Sequence, residues 1–371
     1  MSHFEWTSPT RRIGSRILSP IPNEVYLEIF SYFEPSEVAD HADCKRVLSS
    51  LALVCRFFGA VSISRIYRSL EFSGRDVTPG YAPFCRLLVN DTPDARFAGE
   101  VAQLVRECTF KDWISEAGWA SNFLDLYLRA VRRMPNVDSF HLESMPITES
   151  LICAITKHPE TVSTLTIRSC TIETEISAKA RKRLNTLTLR TLEYFPAPSA
   201  TASAEIPPST LRLRALEAFR TDSWPFGYYF IMRQHPTLRV LELHDVQDLV
   251  ALFAFLAKSP TLTDLVLPKI MILKAGEPLP ALAPTALPNI RSLTIPPSLL
   301  ALFSRRTLSS VSLAGIEERH WDEDVWHVPA LPFLAIKELS PLIQSGASLT
   351  ALHVPAHVYF AFPLHKHLVN P

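Results

Sequence analysis

The chain has 371 residues, of which 47% are hydrophobic and 20% charged, and its 37 basic residues balance its 37 acidic ones. This apolar content is enough for a packed core and excludes a wholly disordered protein. A formal net charge of zero argues against a protein that coats nucleic acid or a membrane surface, because both activities require an excess of lysine and arginine. We therefore expect neither nucleic acid nor a membrane among its partners.

Glycine is scarce, with 10 residues, and the phosphate-binding patterns GxGxxG and GxxxxGK[ST] do not occur. The six cysteines include no CxxC pair, which favours free thiols in a reducing compartment over a disulfide framework or a zinc ribbon. The first residues lack the apolar segment of a signal peptide, and the longest apolar run, at 249–257, is too short to cross a membrane. These features predict a cytoplasmic or nuclear protein without a cofactor.

Residues 1–17 are polar and are predicted to form a flexible tail, whereas residues 18–64 are typical of a small helical domain. Pro22 suits the first turn of a helix, where its missing N–H is not needed, and Glu24 is well placed beside the positive end of the helix dipole. The polar segment 34–46 is predicted as a connection that contains one short helical turn. Such short helices bury little by themselves, so the domain needs a partner or the rest of the chain for stability.

Apolar side chains recur at helical spacing in this domain. The first stripe consists of Ile21, Val25, Ile29 and Phe30, and a second stretch contains Leu51, Val54 and Phe57. The stripe has two interpretations: an interface with another protein, or an internal core that faces the rest of the chain. We favour the interface, because buried apolar anchors typically dominate the energetics of protein–protein contacts.

The segment resembles the F-box motif. The likeness lies in Ile21-Pro22 followed by Glu24, in the Ile-Phe-Ser-Tyr-Phe sequence at 29–33, and in the Leu-Ala-Leu-Val-Cys-Arg-Phe-Phe sequence at 51–58. This resemblance implies docking on the S-phase-kinase-associated adaptor of a cullin-RING ubiquitin ligase. The adaptor-binding residues that it implies are Ile21, Pro22, Glu24, Val25, Ile29, Phe30, Leu51, Val54 and Phe57.

After residue 65 the pattern apolar-x-x-apolar-x-apolar recurs, mostly at intervals of 18 to 32 residues, and predicts the short strands of a repeat protein. The pattern starts at Tyr67, Val105, Val137, Val162, Leu184, Leu213, Leu238, Leu262, Ile290, Leu308 and Leu349. Proline lies two residues before four of these starts, at Pro135, Pro236, Pro260 and Pro288. Helices are predicted between the strands, at 122–133, 150–157, 228–234, 247–258 and 299–304.

One copy, from Val162 to Ile172, fills the whole leucine-rich pattern, with Cys170 at the position that regular repeats give to asparagine or cysteine. The other copies lack an asparagine there, so we expect an irregular repeat array. The proline-rich stretches 196–208 and 278–288 are predicted as loops that replace a helix, because proline forbids a helix interior. The charged cluster 317–324 is predicted as an exposed insertion.

An F-box followed by irregular leucine-rich repeats resembles the F-box/leucine-rich-repeat proteins of fungi. The predicted fold is mixed α/β: an all-helical F-box at 18–64, a solenoid at 65–356 and a C-terminal tail at 357–371. The solenoid would carry short parallel strands on one face and helices and loops on the other. The resemblance implies a non-catalytic substrate receptor that holds a target protein; the alternative is a leucine-rich scaffold that acts outside a ligase.

Within each predicted strand, the residues between the apolar positions point away from the core. The candidate substrate-binding residues on this face are Lys111, His141, Arg168, Arg190, Glu217, Glu242, His244 and Asp264. Their order predicts a face that leans basic, then acidic, then neutral, and an ordinary solvated sheet face is an equally good interpretation. We expect reversal of Arg168 and Arg190 to glutamate to leave folding intact, because exposed substitutions usually change stability by only about 0.5 kcal/mol.

No catalytic pattern such as GxSxG, HExxH or a Cys–His pair is present, which argues against an enzyme. The histidine pair most suggestive of a metal, His353 and His357, flanks Pro355, so a helix cannot place both on one face. We therefore predict no catalytic residue and no metal site.

Overall fold

The computed structural model describes residues 9, 11–19, 21–33, 41–75, 80–90, 95–113, 118–172, 176–197, 211, 213, 215–269, 281–283, 285–303, 306–314 and 349–353. Its helices are α1 (Asn23–Ser31), α2 (His41–Ala52), α3 (Arg56–Ile66), α4 (Ala82–Val89), α5 (Ala95–Ala102), α6 (Gly118–Val131), α7 (Glu149–Ile155), α8 (Ala178–Leu184), α9 (Trp224–Ile231) and α10 (Leu249–Leu256), with a 3-10 helix at Pro297–Phe303. No helix among these residues is long and apolar enough to cross a membrane.

The strands are β1 (Arg12–Ile13), β2 (Arg16–Ile17), β3 (Ser69–Ser73), β4 (Glu107–Lys111), β5 (Ser139–Glu143), β6 (Thr164–Arg168), β7 (Thr191–Phe195), β8 (Ala218–Thr221), β9 (Val240–Leu243), β10 (Asp264–Val266), β11 (Ser292–Ile295), β12 (Ser310–Leu313) and β13 (Ala351–His353). β3 to β13 form an 11-stranded parallel sheet in which the strands follow the order of the chain. The protein is therefore mixed α/β, with helices in the connections between strands.

The chain divides into two compact units. The first contains Met1–Met145 and Cys153–Val162, and the second contains Pro146–Ile152 and Ser163–Pro371. β3, β4 and β5 belong to the first unit, and the strands from β6 onward belong to the second.

The segment predicted as a flexible tail contains a short hairpin. β1 and β2 pair antiparallel, with Arg12 opposite Ile17. The turn between them uses Gly14 with φ of 59°, a conformation that glycine adopts without steric cost. The segment predicted as a flexible tail therefore contains local structure at residues 12–17.

The three N-terminal helices share a small core of their own. It consists of Tyr26, Phe30, Leu48, Phe57 and Val61, with Ile21, Phe33, Leu51, Cys55, Phe58 and Ile66 packed against it. Aromatic rings join α1 to α3, since the Phe30 and Phe58 centroids are 5.3 Å apart in an edge-to-face arrangement. α2 begins at His41, so the connection predicted at 34–46 is wrong from that residue onward; residues 34–40 lie outside the described ranges.

The strands alternate buried and outward side chains, as their sequence pattern predicts. Nine of the eleven predicted starts lie two residues before an observed strand. The starts at Leu184 and Leu213 are wrong: Leu184 is the last residue of α8, and the true patterns begin at Leu189 and Leu216. The error at β7 arises because leucines before and within the strand are all buried, so that overlapping copies of the pattern fit equally well. At β8 the true copy has the buried Thr221 at its third apolar position and so does not match the pattern, whereas the copy from Leu213 does.

The predicted helices at 122–133, 150–157, 228–234 and 247–258 are observed, with shifted ends, as α6, α7, α9 and α10. The helical segment predicted at 299–304 is observed as a 3-10 helix at Pro297–Phe303, and α4, α5 and α8 were not predicted. The proline-rich connection at 278–288 was predicted to be a loop. Its described residues, 281–283 and 285–288, contain no helix. Nearly all of the loop at 196–208, the insertion at 317–324 and the tail at 357–371 lie outside the described residues.

A set of polar side chains joins successive strand segments. Thr161, Thr237 and Thr261 each immediately precede an apolar pattern start, and each Oγ1 donates to the carbonyl of an earlier start, at Val137, Leu216 and Leu238. The distances are 3.0, 2.8 and 2.7 Å. Asn136 and Asn289 hold the same position and donate to earlier backbone carbonyls. These bonds satisfy backbone carbonyls at the edge of the sheet where the strands begin.

Candidate protein-binding surfaces

The residues of the predicted helical interface fall into two groups in the structure. Val25 and Ile29, one turn apart on α1, are 45% and 47% exposed. Phe30 is only 2% exposed, and Phe57 is also buried in the core between the helices. The predicted single stripe is therefore wrong: Phe30 and Phe57 belong to the internal core, and Val25 and Ile29 form an outward apolar surface.

The turn between α2 and α3 carries further exposed apolar side chains. Leu53 is 89% exposed, and Val54 is also exposed, whereas Leu51 packs partly on the core. Ile21 is half-buried against the same core, while Pro22 and Glu24 lie exposed at the start of α1. The exposed apolar side chains Val25, Ile29, Leu53 and Val54 are called the apolar helix surface below.

Cys55 begins α3 and was predicted to pack as a small hydrophobe. It is half-buried against the core, and its Sγ also accepts a hydrogen bond from the backbone N–H of Phe58 at 3.4 Å. This bond satisfies one of the N–H groups that a helix start leaves without an intrahelical partner. Cys55 therefore has a capping role that its apolar sequence context did not indicate.

In the first unit, the basic residues of the outward strand face are matched by glutamates. Lys111 Nζ lies 2.6 Å from Glu71 Oε1, and His141 Nε2 lies 3.2 Å from Glu107 Oε1. The strand register explains both pairs. Thr109 of β4 lies opposite Glu71 of β3 and opposite His141 of β5, and Lys111 and Glu107 lie two residues after and before Thr109. Each pair is therefore a diagonal contact between adjacent strands. The expectation of a basic-leaning face is wrong here, since each predicted cation contacts a carboxylate.

In the second unit, alternating charges cross four adjacent strands. Glu193 of β7 contacts Arg168 of β6 at 2.9 Å and Arg220 of β8 at 2.5 Å. Arg220 Nε also lies 3.3 Å from Glu242 of β9, and Glu242 contacts His244 at 2.5 Å. We call these five residues the charge network.

The charge network shifts the pKa of its members. Burial raises the pKa of Glu193, but the hydrogen bonds and positive charges of Arg168 and Arg220 outweigh burial and hold it below its usual value of 4.5. The hydrogen bond to Glu242 raises the pKa of His244 above 6.5, and the nearby Asp222 raises it further. The network therefore shifts both residues towards their charged forms.

An aromatic ring contacts both terminal members of this network, Arg168 and His244. The guanidinium carbon of Arg168 is 5.3 Å from the centroid of the Phe195 ring, and the ring of His244 meets Phe195 edge-on at 5.7 Å. Cations, a carboxylate and an aromatic ring thus converge at the carboxyl ends of β6 to β9. This combination of groups can contact a polypeptide through hydrogen bonds, charge and ring stacking.

Three further predicted face residues, all in the second unit, lie apart from the charge network. Arg190 and Glu217 precede β7 and β8 and are 3.7 Å apart, at the edge where the strands begin. Asp264 Oδ2 accepts from Thr263 Oγ1 at 2.6 Å. Beyond β10 the outward positions of β11 and β12 hold serine and threonine, which agrees with the predicted neutral end.

The sequence interpretation missed Glu71, Glu107, Glu193, Arg220 and Phe195 on the strand face. Glu193 and Arg220 were missed because the pattern starts at Leu184 and Leu213 were misplaced, which put β7 and β8 at the wrong positions. Correct starts place Glu193 between Leu192 and Tyr194 and so on the outward face. The sequence feature that could have identified the pair is its register, since Glu193 and Arg220 occupy equivalent positions on the neighbouring strands β7 and β8.

The cysteines are structural in character. None of the six forms a disulfide, and Cys170 is buried as predicted, its Sγ 3.3 Å from the carbonyl of Arg168. Burial raises the pKa of Cys85 to about 12 and that of Cys108 well above its usual value, so neither thiol is ionised at neutral pH. Across the described ranges no group of three or more His, Cys, Asp or Glu side chains is arranged to hold a metal ion; His357 lies outside them.

Comparison of the sequence with models of known protein families finds no match, and comparison with curated proteins finds none either. The function must therefore be inferred from the residues and their geometry.

Proposed function

We propose that this protein is the substrate-recognition subunit of a cullin-RING ubiquitin ligase of the F-box type. In this proposal the helices α1 to α3 dock on the S-phase-kinase-associated adaptor, and the outward face of the parallel strands binds a target protein. The subunit itself performs no chemistry; it brings the target to the ligase.

The observation that carries the proposal is that the helical segment has its own buried core and, separately, exposed apolar side chains. Tyr26, Phe30, Leu48, Phe57 and Val61 form its core, so the segment does not need the apolar helix surface to pack. Four large aliphatic side chains nevertheless remain exposed there. Clusters of exposed apolar side chains rimmed by polar residues are typical of protein interaction sites.

The strand face supports the second half of the proposal. Its outward side chains form a continuous row across adjacent parallel strands, which suits an extended partner better than a small molecule. The charge network and Phe195 provide the polar and aromatic contacts with which such surfaces select partners.

Adaptor binding tests the proposal. The full chain carrying Val25→Asp and Ile29→Asp should lose capture by recombinant adaptor, because each carboxylate would have to be buried unpaired in the interface. The core residues are untouched, so circular dichroism should match that of the wild type. The control is Phe97→Asp on α5, an apolar residue outside α1 to α3 that is 61% exposed, which should bind normally.

Failure of the wild-type chain to bind the adaptor would overturn the ligase proposal. If crosslinking of that chain nevertheless recovers a stable partner at the strand face, the alternative holds: a leucine-rich scaffold that acts outside a ligase. Equal adaptor binding by wild type and the Val25/Ile29 variant would remove the apolar helix surface from the interface.

A further inference from the structure

The charge network is arranged in two layers. The side chains of Arg168 and Arg220 are 55% and 40% exposed, whereas Glu193, which contacts both of them, is 11% exposed. His244 is likewise more exposed than its partner Glu242. The cations therefore lie outermost, with the carboxylates beneath them. We propose that this outer layer binds an acidic segment of the target polypeptide, with one carboxylate held between Arg168 and Arg220; this inference rests on the proposed binding of a target by the strand face.

The ion pairs on the strand face of the first unit lack this layering. Lys111 and His141 are slightly less exposed there than the glutamates that they contact, Glu71 and Glu107. Carboxylates are thus at least as accessible as cations on that face. The outward layer of cations is a property of the charge network and does not follow from ion pairing between strands as such.

Both guanidinium groups of the outer layer are held in place by other side chains. Arg168 Nη2 lies 2.9 Å from Glu193, and its guanidinium carbon lies 5.3 Å from the centroid of the Phe195 ring. Arg220 contacts the other oxygen of Glu193, and its Nε lies 3.3 Å from Glu242. Side chains that are already ordered lose little conformational entropy when a partner binds, so these arginines are better anchors than mobile surface arginines.

The two arginines retain hydrogen-bond donors for a further acceptor. A guanidinium group carries five N–H groups on three nitrogens. Among the described residues, the polar contacts of Arg168 involve Nη2, and those of Arg220 involve Nη1 and Nε. Nη1 of Arg168 and Nη2 of Arg220 can therefore donate to a group that arrives from solvent.

The contacts of Glu193 show that a carboxylate has the right size to join the two arginines. Its Oε2 accepts from Arg168 and its Oε1 accepts from Arg220, so that one carboxylate already spans both guanidinium groups from the buried side. A carboxylate of the target on the exposed side would repeat this arrangement and accept one N–H from each arginine. Hydrogen bonds between charged groups of this kind are about twice as strong as bonds between neutral groups.

The charges around the two arginines favour a carboxylate over a phosphate group. Glu193 and Glu242 balance the two guanidinium groups, and His244 adds one positive charge when it is protonated. Asp222 is exposed and lies close enough to His244 to raise the pKa of that imidazole. One negative charge is therefore balanced here, whereas the charge of about −1.5 to −2 on a phosphate monoester exceeds the positive charge available.

A peptide array tests this preference without a known target. The labelled full chain is applied to immobilised short peptides of random sequence, and the composition of the bound peptides is compared with that of the whole array. We expect the bound peptides to be enriched in aspartate and glutamate. The formal net charge of the chain is zero, so overall electrostatic attraction does not account for such an enrichment.

Fluorescence anisotropy with one of the bound peptides then measures the contribution of its carboxylates. Replacing the acidic residues of the peptide by asparagine and glutamine should weaken binding by at least about tenfold, because hydrogen bonds to charged acceptors are lost. Replacing them by phosphoserine should not strengthen binding. Tighter binding of the phosphoserine peptide would overturn the assignment to a carboxylate.

Two pairs of arginine substitutions locate the site on the protein. The network variant is Arg168→Gln with Arg220→Gln, and the matched control is Arg239→Gln with Arg291→Gln. Arg239 and Arg291 are exposed arginines of the second unit that immediately precede β9 and β11 and are not members of the charge network. We expect the network variant to bind the acidic peptide at least about tenfold more weakly and the control to bind as the wild type does.

A milder variant separates binding from folding. Arg168→Lys with Arg220→Lys keeps positive charges beside Glu193 but removes the paired N–H groups of the guanidinium forks, so it should unfold in urea much as the wild type does and still bind the peptide more weakly.

The acidic-target assignment is overturned if the array shows no enrichment in acidic residues, or if the network and control variants bind the peptide equally. Adaptor capture enters neither measurement. Failure of peptide binding therefore leaves the docking of α1 to α3 intact, and failure of adaptor capture leaves the acidic preference of the strand face intact.

Discussion

The Nη2 atom of Arg168 lies 2.9 Å from Oε2 of Glu193, and the Glu193 side chain is only 11% exposed. Arg168 is therefore a structural counter-charge as well as an outward residue. Removing one partner of such a contact leaves the other poorly solvated and without compensation, which is costly.

Reversal of Arg168 should consequently destabilise the protein, which corrects for this residue the expectation from the sequence that reversal leaves folding intact. Arg168→Glu places a second carboxylate beside Glu193 and should lower the free energy of unfolding by about 1–3 kcal/mol. The matched control is Arg190→Glu, because the Arg190–Glu217 pair is more exposed and 3.7 Å apart, and such surface pairs contribute about 0–1 kcal/mol. Urea denaturation measures both; equal losses would show that the contact to Glu193 adds nothing.

A pH-dependent contribution is expected from His244. The hydrogen bond to Glu242 raises the pKa of His244 above 6.5 in the folded protein. The protonated His244 therefore stabilises the fold fully below pH 6.5, and this stabilisation is lost as the pH rises through the pKa that His244 has in the folded state. His244→Gln should therefore reduce the melting temperature more below pH 6.5 than in alkaline buffer. Glu193 keeps its charge throughout this range, because its pKa is lowered from 4.5. A difference between wild type and variant that does not change with pH would contradict the assignment.

The threonines before the apolar patterns should contribute through their hydroxyl groups. Thr237→Val keeps the shape of the side chain but removes the 2.8 Å bond to the carbonyl of Leu216. We expect a loss of about 1 kcal/mol in the free energy of unfolding, the usual net value of such a bond. Thr237→Ser retains the hydroxyl and is the control; it should lose less than the valine variant in the same denaturation experiment.

Gly74 lies where the end of β3 meets the next strand, and its N–H donates to the carbonyl of Lys111 at 3.0 Å. A Cβ atom here would collide with the backbone carbonyl of Asp112, which cannot move without disturbing β4. Gly74→Ala should thus lower the melting temperature. By contrast, Gly99→Ala in the open middle of α5 should raise stability by about 0.5–1 kcal/mol, because alanine is the better helix former.

Much of the parallel sheet could be predicted from the sequence, because the spacing of apolar residues reflects the alternation of strand side chains. The errors arose at β7, where overlapping copies of the leucine pattern fit, and at β8, where the buried Thr221 interrupts the apolar pattern. Both strands were therefore misplaced, and Glu193 and Arg220, the centre of the charge network, were not predicted on the outward face.

The helical segment shows a different limit of sequence reasoning. Ile29 and Phe30 are adjacent apolar residues at the margin of one stripe, and helical spacing alone could not decide which of them faces inward. Contact with Phe58 of α3 decides it, since the Phe30 ring packs there and Ile29 is turned outward.

The chain order of the strands in the second unit has a kinetic consequence. β7, β8, β9 and β10 each pair with the strands that precede and follow them in the sequence, about 20–30 residues away. Loops of that length close quickly, and a low mean sequence separation of contacts correlates with fast folding. The rings of Phe219, Phe230 and His235 stack on one another between β8 and β9. If strand pairing begins at this local contact and proceeds outward in both directions, substitutions there are expected to slow refolding, whereas those in β12 or β13 should mainly accelerate unfolding.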